Sequence, residues 1–527
     1  MKQTNIVADF STAGVHLPHF WSKCVGAGRA GEGLRADWQK QLKKSVEECG
    51  FSYLRFHGLL TDDMGIVHRR ADGSIGYQFA YVDNLFDAML EIGIRPFVEF
   101  GFMPKVMASG EASQFWWNAN ITPPAKMEEW YDLIYTLIAH WQERYGKEET
   151  QQWYYEIWNE ADLSGFWTGT KSDYFALYKT AVTAIKSVDP ALKVGGPATS
   201  NFVPDARFDG EREDVSKHIT HTVEDLDSLN WRAVWVEDFL AFCAKEGLPV
   251  DFVSTHPYPT DFALDGQSKM KGRSRKKGAV KDDLIWLKNV IANSAYPHAE
   301  THLTEWSSSP SSRDCAHDFL PAANYIVKSN LDCTGLTDSL SYWVFTDIFE
   351  EAGPGPIAFH GGFGMQTLHG IAKPSHHAYR MLNALGEVEI CRGEEYLVSK
   401  TSDGGAAILM YNYAEEEPLT VPMSVYPDTS VAVATQSQGA DSEITLALSG
   451  LAPNAVLTLE IMDETHGTAV TEWLAMGAPD NLTRAQEKTL KEIADTLRTQ
   501  EFTADANGAL QANITLPRWG VALLKTI

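Results

Sequence analysis

The sequence predicts an α/β fold, a (β/α)8 TIM barrel followed by an accessory C-terminal β-sandwich domain. Two observations carry this. Between Ser11 and Gly386, eight short β-branched or aromatic runs alternate with longer segments of helical period. Alternation of this kind calls for parallel strands joined by helical crossovers, and eight such units in about 370 residues suit a closed barrel with loop insertions. After Gly386 the pattern changes to short strand-like runs between turns, with few helices among them. The boundaries read as 11–386 for the barrel and 387–527, together with 1–10, for the β-rich domain.

The eight barrel strands are expected at Gly14–Leu17, Tyr53–Phe56, Pro96–Phe100, Trp153–Trp158, Lys193–Gly195, Phe252–Thr255, His302–Trp306 and Leu340–Phe345. The helices between them are punctuated. Leu34, Trp38, Leu42 and Val46 form one apolar stripe that stops at Gly50, and Val82, Leu85, Phe86, Met89 and Leu90 form another that stops at Gly93. Pro123-Pro124 opens a long helix that runs to Gly146, and Ser172-Asp173 caps Tyr174–Val188. In the C-terminal part, strands are expected at Ala406–Tyr413, Leu419–Met423, Val431–Thr435, Ser442–Leu448, Val456–Ile461 and Ala509–Leu516, with a helix at Thr483–Thr499.

An open doubly wound sheet is the rival architecture, and it would normally carry a phosphate loop after its first strand. The one G-x-G-x-x-G match, Gly26 to Gly31, follows His19–Val25, which is a poor strand, so it does not read as a dinucleotide site.

Composition excludes several function classes. At 527 residues, 44% hydrophobic and 22% charged, the chain is neither disordered nor low in complexity. Lys+Arg 44 against Asp+Glu 70 gives a net charge of −26, a field that repels nucleic acid and anionic membranes and is indifferent to a neutral ligand. The six cysteines are scattered without a CxxC pair, which reads as structural thiols in a reducing compartment. No secretory signal and no run of membrane-span length is visible, so a cytoplasmic location is expected. His376-His377 are helix neighbours that point to different faces and do not share one ion, and neither metal nor cofactor is expected. Phe208–Asn230 and the basic Lys269–Lys281 read as inserted, solvated loops. The β-rich part with its helix is a candidate contact for a homo-oligomer.

Barrel active sites gather at the C-terminal ends of the strands. Those ends read Arg55-Phe-His57, Trp158-Asn159-Glu160, Thr255-His256-Pro-Tyr258, Thr304-Glu305-Trp306 and Phe345-Thr346-Asp347 with Glu350 and Glu351 following. One strand-end carboxylate alone is usually an ion-paired structural group. Two at one level of a barrel mouth, flanked by Trp and Asn, suit glycosidic hydrolysis, in which one carboxyl protonates the leaving oxygen while the other meets the anomeric carbon. Mutual repulsion of the pair supplies the required difference in protonation. Phe115, Trp116, Trp117, Phe166, Trp167 and Trp343 supply aromatic surface of the kind that sugar rings pack on, although each alone equally suits barrel packing.

Three segments, Trp158 to Trp167, His302 to Asp314, and Ser341 to Glu351 continuing through Phe359-His-Gly-Gly-Phe-Gly364, resemble glycoside hydrolase family 39, above all its bacterial β-xylosidases. The resemblance runs from Phe20 to the Ala378–Leu382 helix. It implies a retaining exo-acting double displacement on terminal β-D-xylosyl units, with Glu160 as acid/base and Glu305 as nucleophile. It further implies that Asn159 bonds the sugar 2-hydroxyl, that His256 and Tyr258 flank the nucleophile, and that His57, Trp343, Glu350 and Glu351 form the sugar pocket. Arg55 would hold Glu305 ionised. Another neutral glycoside (glucoside, galactoside or arabinoside) is the alternative substrate, and a non-catalytic carbohydrate-binding barrel is the alternative class. The family's Pro-Asn after the acid/base is replaced by Ala161-Asp162. An inward-facing Asp162 would raise the pKa of Glu160.

Overall fold

The computed structural model describes residues 2–200, 202–203, 210–214, 228–264, 270–276, 278–414 and 427–527. The expected strand Leu419–Met423 and most of Phe208–Asn230 lie outside the described residues, as do Lys269 and Lys277 of the basic segment.

Eight parallel strands close into a barrel: Cys24–Arg29, Tyr53–His57, Arg95–Phe100, Tyr154–Ile157, Lys193–Thr199, Phe252–Thr255, Glu300–Trp306 and Ser339–Tyr342. Each pairs with its neighbours in sequence, and the eighth closes on the first through Tyr342 and Val25. The interior below the mouth is filled by Cys24, Phe97, Tyr154 and Phe252, with the Phe97 and Tyr154 rings stacked 4.8 Å apart. That aromatic plug leaves the other end as the place where polar side chains converge.

The first strand departs from expectation. Val15–His16 pairs with Val388–Gly393 in the accessory sheet, and the barrel strand is Cys24–Arg29, made largely of the glycine motif. Its glycines serve packing. A Cβ on Gly26 would lie 2.4 Å from the Trp343 ring, and one on Gly28 would lie 2.4 Å from the Glu32 carboxylate. A strand selected for close approach lacks the β-branched signature by which strands are found.

Gly50 and Gly93 end their helices in the left-handed region at φ 74° and 96°. The helix Lys171–Val188 begins earlier than Ser172-Asp173 suggested, because Thr170 is its cap and accepts from the Asp173 backbone N–H. The second expected loop insertion is a hairpin, Thr260–Leu264 against Met270–Ser274, after which Arg275 pairs with Asp283 at 2.8 and 2.9 Å and lies over Trp231.

The accessory region has two sheets. Seven strands run in the order Val15–His16, Val388–Gly393, Tyr396–Lys400, Ala406–Tyr411, Val521–Thr526, Val456–Met462, Arg498–Thr503. The other sheet has Lys2–Asp9, Ser442–Ser449 and Leu510–Leu516, with Lys2–Asp9 parallel to Ser442–Ser449. Ile6, Ile408, Leu446, Leu459, Ile514 and Leu524 fill the space between them. Val431–Thr435, expected as a strand, lies in the helix Ser430–Gln436. Its alternating alanines favour helix, Ala432 is buried, and Gln436 accepts from the Leu320 backbone N–H, so tertiary contact outweighs the β-branched residues. A third core joins the helices Val470–Ala475 and Arg484–Asp495 to the barrel loops through Trp473, Leu490, Phe359, Cys315 and Phe319. Among the described residues no helix is long and apolar enough to cross a membrane, and all six cysteines are free.

Candidate active site

Local irregularities aim the polar residues. Arg55 and His57, two apart on the second strand, both point into the barrel, as the pleat requires. On the seventh strand the pairing register shifts between Leu303 and Trp306, and both Thr304 and Glu305 turn inward. At the end of the fourth strand Trp158 and Glu160 take left-handed backbone at φ 67° and 46°, a conformation that costs about 1–3 kcal/mol for a non-glycine residue. It is held because the Trp158 N–H donates to Phe100 and the Glu160 N–H donates to Ala198 on the neighbouring strands, at 3.2 and 2.8 Å.

Arg55, fully buried, organises the centre. It donates to Glu156 at 2.8 Å, Glu305 at 2.5 Å and Asn159 Oδ1 at 2.8 Å, and lies 3.3 Å from Glu99. Tyr258 Oη donates to the other Glu305 oxygen at 3.1 Å. His57 Nε2 is 3.3 Å from Glu305 and 3.7 Å from Glu351, and its ring stands 4.8 Å from that of Trp343. His256 Nδ1 meets Glu160 at 2.8 Å and lies 3.8 Å from Glu305.

The hydrogen bonds locate a proton on Glu160. Thr304 Oγ donates to Glu156 at 2.9 Å, so its oxygen receives the Nε2–H of His256 at 3.1 Å. Burial keeps His256 neutral by holding its pKa far below the usual imidazole range. Its Nδ1 is then an acceptor, and the Glu160 carboxyl facing it is the donor. The electrostatics agree: burial, then the Glu305 charge and then Asp162, push Glu160 well above the carboxylate range. Burial also raises Glu305, but Arg55, His57 and the Tyr258 hydroxyl oppose it, so the proton of the pair resides on Glu160.

The structure brings His57, Asn159, Glu160, His256, Tyr258, Glu305, Trp343 and Glu351 to one place. His256 bonds Glu160 in preference to Glu305. Glu350 is turned elsewhere: its carboxylate pairs with Arg29 at 2.8 Å and Arg35 at 3.3 Å, and its N–H donates to the buried Glu32. Asp162 is buried and accepts from the Ser200 backbone N–H at 2.9 Å and from the Ser200 hydroxyl. The reading by strand ends overlooked Glu99 and Glu156, and gave Thr304 no role. An acid inside an otherwise apolar run, Phe97–Phe100 for one and Tyr154–Ile157 for the other, was the available signal for the first two.

Glu160, His256 and Glu305 each offer a donor atom within 4.8 Å of the others, the one trio among the described residues able to hold a metal ion. Their donors are already engaged with one another, with Arg55 and with Tyr258, an arrangement suited to moving protons. His376 and His377 turn apart, to Glu48 at 2.7 Å and to the Ala494 carbonyl at 2.8 Å.

A buried carboxyl pair, one protonated and one ion-paired, at the mouth of a (β/α)8 barrel is the equipment of a glycosidase. Comparison with known proteins agrees. The family model described as glycosyl hydrolases family 39 matches residues 5–220 and 227–511. The chain is 38% identical to a β-xylosidase of Caldicellulosiruptor saccharolyticus over 90% of its length and 88% of the relative's. It is 35% identical to one of Geobacillus stearothermophilus, covering 96% and 92%. The crystal structure of a monomeric β-xylosidase from Caulobacter crescentus CB15 superposes with a TM-score of 0.84 at 31% identity, covering 99% of both chains. The chain is a glycoside hydrolase belonging to glycosyl hydrolases family 39.

Proposed function

We propose that the protein is a retaining exo-β-xylosidase in which Glu305 is the nucleophile and Glu160 the acid/base. The observation that carries this reading is the proximity of the two carboxyls, with an oxygen of each within 4.8 Å. An inverting pair needs about 6.5–9.5 Å to admit a water, whereas a retaining pair stands about 5–5.5 Å apart. In the first step Glu305 attacks the anomeric carbon while the Glu160 proton passes to the leaving oxygen. In the second step Glu160, now ionised, takes a proton from water, which displaces the sugar from Glu305. The Asn159 carbonyl is engaged by Arg55, so its amide NH2 is the donor for the sugar 2-hydroxyl. Trp343 backs the pocket beside His57.

A neutral sugar fits the electrostatics. Burial and the Glu305 charge keep Glu351 protonated, well above the carboxylate range, so it donates to a hydroxyl. Arg55, the one cation at the catalytic pair among the described residues, is already engaged by carboxylates, so no partner is available there for a uronate. The choice of xylose rests on the relatives described as β-xylosidases.

Proton NMR of the first anomer released from a panel of aryl glycosides tests this. The expected result is fastest turnover of the β-xyloside with the β-anomer formed first, and loss of turnover in E305A. An α-anomer product, or an E305A variant of near wild-type rate, overturns the mechanism. Faster turnover of another neutral glycoside reassigns the sugar.

A further inference from the structure

Glu99, on the third strand, has no part in the double displacement as described. It is 1% exposed. One of its oxygens, Oε2, lies 2.5 Å from His57 Nδ1 and 3.3 Å from Arg55. The other, Oε1, is buried without a hydrogen-bond partner. A carboxylate anion with an unsatisfied oxygen in a dry interior is costly, and a neutral acid much less so.

The far side of His57 decides which species is present. Nε2 faces two carboxyl oxygens, Glu305 Oε1 at 3.3 Å and Glu351 Oε1 at 3.7 Å. The nearer one already accepts from Arg55, so it is an acceptor, and a lone pair on Nε2 would be repelled by it. Nε2 therefore carries hydrogen. The ring is neutral, because burial holds its pKa down to about 3. A neutral imidazole with hydrogen on Nε2 has a bare Nδ1, and the group 2.5 Å away must supply the proton. Arg55 is consistent with this: it approaches Glu99 less closely than Glu156, Asn159 or Glu305.

We propose that Glu99 is a positioning residue for the proposed hydrolysis, a protonated acid whose O–H locks His57 as the Nε2–H tautomer and so keeps the positive end of an N–H dipole 3.3 Å from Glu305, which Arg55 and Tyr258 hydrogen-bond. The inference rests on the proposed role of Glu305. A neutral Glu99 also leaves the Arg55 charge to Glu156 and Glu305. The charged and titratable groups around Glu99 are Arg55 and His57 from the second strand, Glu156 across Arg55 from the fourth, and Glu351 from the loop after the eighth. Burial, opposed by Arg55, pushes Glu99 up to about 7. Above that pH it would ionise, Nδ1 would take the hydrogen, and Glu305 would face the Nε2 lone pair in place of an N–H. The site thus acquires an alkaline limit distinct from loss of the Glu160 proton.

The test combines two variants with a spectroscopic readout on the intact protein. In E99Q the amide NH2 can still donate to Nδ1 and does not titrate, whereas E99A supplies nothing. On the aryl glycoside that the wild type turns over fastest, E99Q should keep kcat within about threefold and extend activity to higher pH, while E99A should lose about 10- to 100-fold. Nitrogen-15 spectra of histidine-labelled protein, assigned with H57N, should show the Nε2–H tautomer in the wild type near pH 6 and its loss in E99A. An Nδ1–H tautomer or an imidazolium at His57 in the wild type overturns the proposal, as does an E99Q rate as low as that of E99A in folded protein. If instead E305A stays active, the assignment of the nucleophile fails while the His57 tautomer still reports on Glu99.

Discussion

Asp162 shows how one buried residue can tune the protonation of its neighbour. Its carboxyl is buried and pushed up to about 7 by burial, against the stabilising bonds from Ser200, and its charge adds to the forces that keep the proton on Glu160. The acid role proposed for Glu160 requires that proton, so activity should fall as pH rises through the Glu160 pKa. Replacing Asp162 by Asn removes a repulsive charge and lets Glu160 ionise earlier. The expected result is a shift of the alkaline limb of kcat/KM to lower pH by about half a unit to one unit in D162N, measured on an aryl glycoside with a poor leaving group. At this scale the convergence of Glu160 and Glu305 on one candidate site was legible, because both stand in long motifs at strand ends. The orientation of adjacent side chains was not: Glu350 and Glu351 are neighbours in sequence, yet one pairs with Arg29 and Arg35 while the other joins the catalytic pair, a difference set by loop geometry.

The loop after the eighth strand is held by a buried charge cluster. Lys373 Nζ lies 2.6 Å from both Asp318 and Asp347 and donates to the Gly362 carbonyl at 3.0 Å. The Gly361 and Gly364 N–H groups donate to the same two aspartates, at 2.8 and 2.7 Å. These bonds tie down both ends of the loop that presents Glu350 and Glu351. Removing Lys373 would leave two buried carboxylates without their ion-pair partner, so K373M should lower stability by about 3–5 kcal/mol in thermal or denaturant unfolding, and raise KM in the fraction that stays folded. Helices with apolar stripes and glycine stops were readable at this scale because local periodicity and capping determine them. The first strand was not, because Gly26 and Gly28 are there to admit Trp343 and Glu32, and that requirement appears only once the eighth strand and the following turn are in place. The Ser430–Gln436 helix is the converse case, in which β-branched residues follow the surface they dock on.

The whole molecule is a barrel with a β-sandwich that touches it where the chemistry is prepared. Trp473, on a helix inserted among the sandwich strands, packs its ring 5.4 Å from Phe359 in the loop after the eighth strand, and shares a core with Cys315 and Phe319 in the loop after the seventh. W473A would leave a cavity in that core, at an expected cost of about 3–5 kcal/mol. The expected kinetic sign is a higher KM with a smaller change in kcat, because the loop carries the pocket wall, while the two carboxyls proposed for the double displacement stand just after strand four and on strand seven. Calorimetry alongside initial rates checks both. The barrel-then-sandwich order was visible in the change of grammar near Gly386, since strand and helix periods are local properties. That the later region returns to brace the catalytic loops was not visible, because contacts between Phe359 and Trp473 leave no periodic mark. One practical outcome concerns truncation. Cutting the chain down to a minimal catalyst at that change of grammar would strip the greasy underside of two active-site loops bare to water, so a shortened enzyme would have to be given a replacement lining for Phe319 and Phe359 before its rates meant anything.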